Sequence, residues 1–439
     1  MLSQENNDLI TRVGPGTPMG TLMREYWVPA LLSRELPEPD GDPVRVLLLG
    51  EKLIAFRDTS GRIGLLPDNC PHRGASLFFG RNEGNGLRCV YHGWKFDVTG
   101  ACVDMPSEPP ESDFKRKIKP RGYPCTERGG IVWAYLGPRE EPPPLPDFEQ
   151  LDDDVENRES FASYRDCNWL QVLEGDLDTS HVGFLHTGHG SPDEVGEGTF
   201  LQFALQDQAP RYKVLDTDFG TTYGAYRPAG NDDDYYWRIG HFLFPFYTMT
   251  PTGVLGLRVG VRAWVPMDDH HTLQFSVGLK RTYLAPRGQR VGITGKLPPQ
   301  KPNTTGWLGR FRLEQDADND YLIDRDAQRR GDSYTGIEYI STQDVAVTES
   351  MGPIYDRTQE RLGSSDMMII RVRRRLIAAA KALAEQGVTP PGVDDPEVYQ
   401  QRSGGIVLPK DADWVERTRN LRRARVEHPE LDPSVAGGI

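Results

Sequence analysis

The chain lacks several features, and each absence removes a class of function. No stretch approaches the ~18 consecutive apolar residues of a membrane helix, so an integral membrane protein is not expected. The opening MLSQENNDLITRVG has neither a basic nor an apolar leader region and does not read as a secretory signal. Positive charge is short: 51 Lys and Arg stand against 64 Asp and Glu among 439 residues, a net charge of −13. Such a chain is a poor nonspecific binder of nucleic acid or of an anionic membrane, and neither partner is expected. Cysteine is scarce, with five residues at positions 70, 89, 102, 125 and 167. With Cys70 and Cys89 set aside for the paired Cys/His pattern described next, the odd three left argue against a disulfide framework and for a reduced, cytoplasmic setting. Repeats with a period of roughly 20–50 residues are absent, which excludes solenoids and propellers.

What is present is concentrated in one stretch. Cys70-Pro71-His72 and Cys89-Val90-Tyr91-His92 form a C-x-H, then C-x-x-H pattern with sixteen residues between the pairs. Each half offers one thiolate and one imidazole, whereas a zinc finger normally groups its cysteines in one pair and its histidines in the other. Mixed pairs suit a [2Fe–2S] cluster in which one iron takes both cysteines and the other both histidines. Neutral imidazoles remove negative charge and raise the reduction potential above that of an all-cysteine ferredoxin. Gly74, Gly80, Gly84, Gly86 and Gly93 let the backbone fold tightly around such ligands and bring amides near the sulfurs. Trp94, beside His92, is placed to shield the cluster. A structural zinc site is the alternative. The stretch CPHRGASLFFGRNEGNGLRCVYHGWKFD resembles the Rieske motif, an iron–sulfur electron-transfer site.

Length alone makes two domains the default. Residues 1–40 read as a helical arm, with helices near Asn7–Val13 and Met19–Tyr26. Pro43–Asp58 alternates as a β-hairpin with Gly50 at the turn, and Gly130–Leu136 is a buried strand, so 41–137 reads as a small, mainly β domain. Residues 138–154, rich in proline and acid, read as a solvated linker. Residues 155–439 form the second domain. Its strand-like runs between about Phe200 and Lys280 suggest an antiparallel sheet. Helices follow at Ile340–Leu362 and at Asp366–Gln386, the latter capped by Ser365 and stopped by Gly387. The fold class is α+β.

A second metal site lies in the helical-looking segment Asn168–His186. Glu174, Asp178 and His181 share one face at i, i+4 and i+7. His186 lies about 140° from His181 on an ideal helix, so both imidazoles reach one metal only if the helix distorts or ends near Gly183. Two histidines and a carboxylate make the facial triad of non-haem Fe(II) oxygenases, which leaves positions open for O2.

Together the two sites resemble the catalytic subunit of Rieske non-haem iron oxygenases over essentially the whole chain. The resemblance implies a helix-grip-like catalytic domain, with His181 and His186 as mononuclear Fe(II) ligands and Cys70, His72, Cys89 and His92 as cluster ligands. Asp178 matches the family's bridging aspartate, facing His92 of a neighbouring subunit in a head-to-tail trimer or a stacked hexamer. The motif Gln343-Asp344-x4-Glu349 resembles the family's third-ligand pattern and favours Asp344, with Asp316 and Asp320 as competitors. RVGPGTPMGTLMREYWVPA, VDMPSEPPES and ESMGPIYDRTQERLGSSD look like the phthalate dioxygenase group, which also holds chlorobenzoate dioxygenases and aryl-ether O-demethylases. That group implies an aromatic carboxylate substrate and a separate flavin and iron–sulfur reductase that draws on NAD(P)H.

An aromatic carboxylate would need a cation in an otherwise apolar pocket. The sheet offers Arg211, Arg238, Arg258, Arg262, Lys280 and Arg281, none matched to a motif. Thr179 and Ser180 adjoin the iron segment; His189 and His241 read as ordinary, with His241 the better pocket candidate. The Arg371–Arg375 run reads as the wet face of a helix. The competing functions are dihydroxylation, monooxygenation or O-demethylation by the same machinery, an electron carrier, and a zinc-stabilised binding protein.

Overall fold

The computed structural model describes residues 2–152, 158–188, 190–279 and 297–431. Its N-terminal part opens with α1 (Gln4–Thr11) and α2 (Pro18–Arg24), each started by a hydroxyl cap, from Ser3 and Thr17. The strand β1 (Trp27–Leu32) follows, so the stretch read as a helical arm also contributes a fully buried strand. Nine short strands follow in this part: β2 (Val44–Leu48), β3 (Glu51–Arg57), β4 (Ile63–Pro67), β5 (Arg81–Asn82), β6 (Leu87–Arg88), β7 (Lys95–Phe96), β8 (Cys102–Asp104), β9 (Cys125–Arg128) and β10 (Ile131–Tyr135). They make three antiparallel sheets, ordered β1-β10-β9, β2-β3-β4 and β5-β6-β7-β8.

The β2–β3 turn holds Leu49 and Gly50, both at positive φ, as a two-residue hairpin turn requires. Its amides reach into the second half of the chain. Leu49 N–H donates to the Pro266 carbonyl (3.0 Å) and Gly50 N–H to that of Met267 (2.8 Å). The turn therefore docks the small domain on the large one. The acid-rich stretch before the second domain is not uniformly solvated. Phe148, Glu149, Gln150 and Leu151 are buried, and the Glu149 carboxylate accepts two 2.7 Å hydrogen bonds from the Arg402 guanidinium.

The second half centres on an eight-stranded antiparallel sheet ordered β11-β17-β16-β15-β14-β13-β12, with β18 paired to β14. The strands are β11 (Arg158–Arg165), β12 (Arg211–Thr217), β13 (Gly220–Pro228), β14 (Asp234–Leu243), β15 (Tyr247–Met249), β16 (Val261–Pro266), β17 (Thr272–Leu279) and β18 (Gly404–Pro409). Its helices include α3 (Trp169–Leu177), α4 (Phe200–Gln206), α5 (Arg325–Arg330), α6 (Ile340–Glu349) and α7 (Met367–Gln386). α7 buries Met368, Val372, Leu376 and Ala380, a four-residue stripe laid against β12 and β13, so the sheet grips a long helix as expected.

Several sequence readings need correction. The helix expected over Ile340–Leu362 stops at Glu349, because Gly352 turns left-handed and Pro353 cannot continue it. α7 starts through a tight turn at Ser364–Asp366, with the Asp366 carboxylate accepting from Gly363 N–H (2.6 Å), rather than through a Ser365 cap. Gly387 ends it in the left-handed conformation, as expected. The Arg371–Arg375 run is not all wet. Arg373 is buried and binds Glu174 and Glu360, while Arg371 pairs with Asp216 at the surface. Among the described residues no helix is long and apolar enough to cross a membrane.

Candidate metal centres

The two loops between β4 and β7 are built alike. Cys70 N–H donates to the Ala75 carbonyl and Gly74 N–H returns to Cys70 (both 2.8 Å). Cys89 N–H donates to Trp94 (2.8 Å) and Gly93 N–H returns to Cys89 (2.9 Å). Gly74 and Gly93 both sit at positive φ, the conformation these tight returns demand. The loops bring Cys70 and Cys89 together in the small domain's core, each 2% exposed. They also place the His72 and His92 rings edge to face, 4.4 Å between centroids. Trp94 is buried and stacks on His72 (4.3 Å, 11° between planes), so it covers that histidine rather than its sequence neighbour His92.

Two features fit this set to an iron–sulfur cluster. Burial, together with the charge of Cys89, pushes the Cys70 thiol up to about 11, so the thiolate exists there only beside a cation. The Nδ1 atom of His72 is buried without a hydrogen-bond partner, a lone donor atom facing inward. Phe79, Val90 and Tyr91 around the loops are more than half exposed and form an apolar rim beside the partly exposed His92.

The second centre begins where α3 ends. Asn168 caps the helix (Leu170 N–H to its side chain, 3.1 Å). Asp178 leaves the helical region because its carboxylate accepts from Ser180 N–H (2.7 Å), a local turn that competes with the helix. The chain then makes a π-helical turn over Val182–His186. That wide turn brings together residues five apart, which an α-helix would splay. His181 Nε2 and His186 Nε2 are 3.1 Å apart. Asp344 Oδ1, from α6, lies 3.5 Å from the first and 3.2 Å from the second. α6 reaches this place because Gly175 lets it approach α3: a Cβ there would meet the Thr348 methyl at 3.3 Å.

Of the three aspartates weighed for this position, the fold brings Asp344 to the histidines. Asp316 instead caps a turn and pairs with Lys301, and Asp320 is exposed in a left-handed turn. Glu349 accepts from Asp166 N–H and Tyr321 O–H, both at 2.7 Å. Glu174 does not share the metal face, because α3 ends at Leu177. It is buried instead between Arg357 (3.0 Å) and Arg373 (2.5 Å).

The hydrogen bonds around His186 show that the site asks for a cation. Gln343 Nε2 donates to the Ile337 carbonyl (2.8 Å), so its Oε1 accepts from His186 Nδ1–H (2.7 Å). His186 Nε2 is then a bare lone pair facing a carboxylate oxygen. That contact is repulsive unless a proton or a metal ion lies between them. His181, His186 and Asp344 present donor atoms within 4.8 Å of one another, as one ion needs. Asp178 Oδ2 lies 3.7 Å from His181 Nδ1 and orients the other imidazole. Burial raises the Asp178 carboxyl, but the neighbouring His181 imidazole and the Ser180 N–H outweigh it and hold the group below its usual range. Asp344 behaves alike, with burial opposed by His186 and His181.

The remaining candidates disperse. His241 is wholly buried, its two ring nitrogens engaged by the Thr222 hydroxyl (2.9 Å) and the Arg402 carbonyl (3.0 Å), and it is not part of the His181, His186 and Asp344 group. Arg211 is exposed near Asp207 (3.5 Å), Arg258 lies 3.6 Å from Glu149, and Arg262 pairs with Asp176 of α3. Thr179 is buried and Ser180 hydrogen-bonds the Tyr212 hydroxyl (2.6 Å). His189, Lys280 and Arg281 lie outside the described residues. Arg238 is buried, and so is Arg227, which the sequence reading passed over. Strand alternation could have found it, since Ala225 and Arg227 point to one face of β13. The orienting role of Gln343 was legible only as part of a motif.

Comparison with known proteins agrees with both centres. A family model for the Rieske [2Fe-2S] domain matches residues 26–120, and one described as LigXa C-terminal domain like matches residues 134–436. The chain is 48% identical to the oxygenase subunit of 3-chlorobenzoate-3,4-dioxygenase from Comamonas testosteroni, over 94% of this chain and 96% of that one. It is 37% identical to the phthalate 4,5-dioxygenase oxygenase subunit of Pseudomonas putida, over 94% of each. With the oxygenase subunit of 5,5'-dehydrodivanillate O-demethylase from Sphingobium it shares 34% identity, over 86% and 80%. The fold matches that of dicamba monooxygenase with a TM-score of 0.56 at 19% identity, covering 83% of this chain and all of that one. With a Rieske [2Fe–2S] domain followed by a mononuclear-iron catalytic domain, the chain belongs to the Rieske non-haem iron oxygenases, as an oxygenase component of their aromatic dioxygenase and monooxygenase systems.

Proposed function

We propose that this oxygenase cis-dihydroxylates an aromatic carboxylate of the benzoate or phthalate type. One observation carries the reading: two histidines of a π-turn and one helical aspartate converge on a single point, in a chain that also holds the mixed Cys/His loops. The relatives named for chlorobenzoate and phthalate support the substrate class. In this reading Cys70, His72, Cys89 and His92 hold the cluster, and His181, His186 and Asp344 hold Fe(II). When bound, these groups supply electrons and activate O2.

The protein's own residues do the rest. Gln343 and Asp178 fix the two imidazoles so that each turns Nε2 to the iron. Asp176 anchors α3 to the sheet by accepting from the Trp264 indole (3.2 Å), the Thr248 hydroxyl and Arg262, so the ligands do not drift. Asp178 also receives a hydrogen bond from His92 of the adjacent subunit in a head-to-tail trimer or a stack of two trimers. The apolar rim of Phe79, Val90 and Tyr91 is the surface that such an arrangement would cover. Electrons come from a separate flavin and iron–sulfur reductase using NAD(P)H. The setting is the reducing cytoplasm, in keeping with five unpaired cysteines.

The test is a single turnover of pre-reduced protein with 3-chlorobenzoate or phthalate under 18O2. Two labelled oxygens in a dihydrodiol are expected. One labelled oxygen, with release of formaldehyde from a methoxy acid, would instead support O-demethylation, the reading favoured by the O-demethylase relative. Iron analysis separates both from an electron carrier, at about three irons per chain against two.

A further inference from the structure

The chain is short of positive charge, with 51 Lys and Arg against 64 Asp and Glu, yet one exposed stretch breaks the pattern. Residues 115–121 read KRKIKPR, five cations in seven positions with no acid among them. Two of the five are occupied: Arg116 pairs with Asp113 (3.0 Å), and Arg121 donates to the Leu136 and Gly137 carbonyls. Lys115, Lys117 and Lys119 are exposed, and among the described residues none of their ammonium groups meets a carboxylate or a hydrogen-bond acceptor. Like charges at this spacing repel one another, and a chain with acid to spare leaves them unneutralised. The other basic run, Arg417–Arg425, is largely engaged. Arg419 pairs with Glu416, Arg422 with the Thr418 hydroxyl and the Val415 carbonyl, and Arg425 with Asp147 and Asp152.

The lysines lie against the cluster loops. Their segment begins with a tight helical turn, Phe114–Lys117, and Ile118 then packs onto the small domain's core, which holds Cys70, Cys89 and Trp94. The Ile118 carbonyl accepts from Cys102 N–H (3.2 Å), which fixes the segment to β8. Phe114 is 38% exposed, and its ring meets that of Trp94 edge to face, 6.0 Å between centroids. Trp94 in turn stacks on His72 at 4.3 Å. Two ring contacts therefore join the surface among the lysines to the first cluster histidine. His92, the other, is bordered by the apolar rim of Phe79, Val90 and Tyr91, with Arg73 over the Tyr91 ring (5.4 Å). The two histidines thus have surfaces of different chemistry, one rich in lysine and the other chiefly apolar.

We propose that Lys115, Lys117 and Lys119 form the docking surface for the electron donor, an iron–sulfur protein or domain with an acidic face. Charge sets the partner's sign: an acidic donor is repelled by most of a chain of net charge −13 and is steered to these three unpaired ammonium groups. Docking there brings the donor's cluster to the Phe114 and Trp94 side of this domain. One electron then passes to this cluster; the donor is oxidised, the cluster reduced, and no bond forms or breaks. The inference rests on the reading above that a separate iron–sulfur reductase supplies the electrons, and it assigns the surface on which that reductase binds. Entry beside His72 also keeps the donor clear of the apolar rim at His92, so donor and neighbouring subunit do not compete for one face.

The probe is a plant-type [2Fe–2S] ferredoxin, an acidic protein of low potential. Binding of the oxidised ferredoxin to the holoprotein is measured by calorimetry at about 20 mM and about 500 mM salt, between which the Debye length falls from about 20 Å to about 4 Å. In low salt the triple variant Lys115→Gln, Lys117→Gln, Lys119→Gln binds about 30-fold more weakly than wild type, and in high salt the two are alike. The control Arg417→Gln, Arg423→Gln binds as wild type does. In rapid mixing, reduced ferredoxin reduces the cluster of the triple variant more slowly by the same factor, while dithionite, which needs no docking, reduces both proteins at one rate. Should the triple variant lose its cluster absorbance, Lys115→Gln, Lys117→Gln carries the same comparison. Equal binding by variant and wild type in low salt overturns the docking surface, and so does wild-type binding that ignores salt. Wild type that binds ferredoxin yet takes no electron from it overturns the electron-donor reading and the surface with it. No aromatic acid is present, so failure to oxidise 3-chlorobenzoate or phthalate overturns the substrate reading and leaves the docking surface standing.

Discussion

Replacing Gln343 by leucine isolates the contribution of a residue that touches no metal. Its amide is locked: Nε2 donates to the Ile337 carbonyl, and Oε1 takes the proton of His186 Nδ1 at 2.7 Å. The side chain is 2% exposed, so no water is at hand to replace it. In the leucine variant His186 Nδ1–H is left buried without an acceptor, at a cost of about 1–3 kcal/mol. The imidazole can then rotate or adopt the other tautomer, with Nε2 protonated and unable to bind a metal. About 10–100-fold in metal affinity is the expected loss, which agrees with the hydrogen-bond figure at ~1.4 kcal/mol per decade. Titration of the iron-depleted protein with Co(II), followed by calorimetry, measures it, while cluster absorbance reports that the small domain is unaffected. Gln343→Glu should restore or tighten binding, since a carboxylate accepts the same proton more strongly. Wild-type affinity for Co(II) in a folded leucine variant would refute the tautomer argument.

Four further outcomes follow from other contacts. Asp178→Asn should keep both metals yet slow reduction of the iron site by the cluster in rapid-mixing experiments; normal turnover would sink the bridging role. Asp344→Ala should lose mononuclear iron while Asp316→Ala and Asp320→Ala retain it, read directly by iron analysis, because Asp344 alone of the three reaches the histidines. Glu174→Gln should destabilise the fold by about 3–5 kcal/mol in denaturant titration, as it leaves Arg357 and Arg373 buried without their shared partner. Burial pushes the His241 imidazole down to about 4, against about 6.5 when unfolded. Its neutral form contributes stability that is present above pH ~6.5 and lost as pH falls towards 4, up to roughly 3 kcal/mol, and His241→Gln should flatten that slope.

Where chemistry constrains spacing, the sequence was readable. The cluster loops need a cysteine and a histidine on each of two tight returns, and Gly74 and Gly93 stand where those returns turn left-handed. The kink between His181 and His186 was implied by geometry, since residues five apart cannot converge on an ideal helix. That the kink would be a π-turn after a break at Asp178 was not, because it depends on the Asp178 carboxylate capturing Ser180 N–H. The same break explains the misplaced Glu174: helical periodicity put it on the metal face, while Arg357 and Arg373, far along the chain, decide its real surroundings. Arg373 was misread for the reciprocal reason. A run of arginines looks solvated until the buried acids that receive one of them are known.

The candidate iron ligands and the sheet strands beside them come from different parts of the fold. His181, His186, Asp344, Asp178 and Gln343 all come from α3, the turn after it and α6, and they bind one another or the backbone. Tyr212 comes from β12 and meets the ligand turn through the Ser180 hydroxyl (2.6 Å). Residues without shared partners act nearly independently. Tyr212 and Ser180 make a direct hydrogen-bond link between the sheet and the ligand turn. Tyr212→Phe, which removes the 2.6 Å bond and nothing else, should shift metal and substrate affinity by small and correlated amounts, measured by Co(II) titration and by 3-chlorobenzoate binding on the same preparation. A shift in substrate affinity alone would mean that the two parts are fully separable.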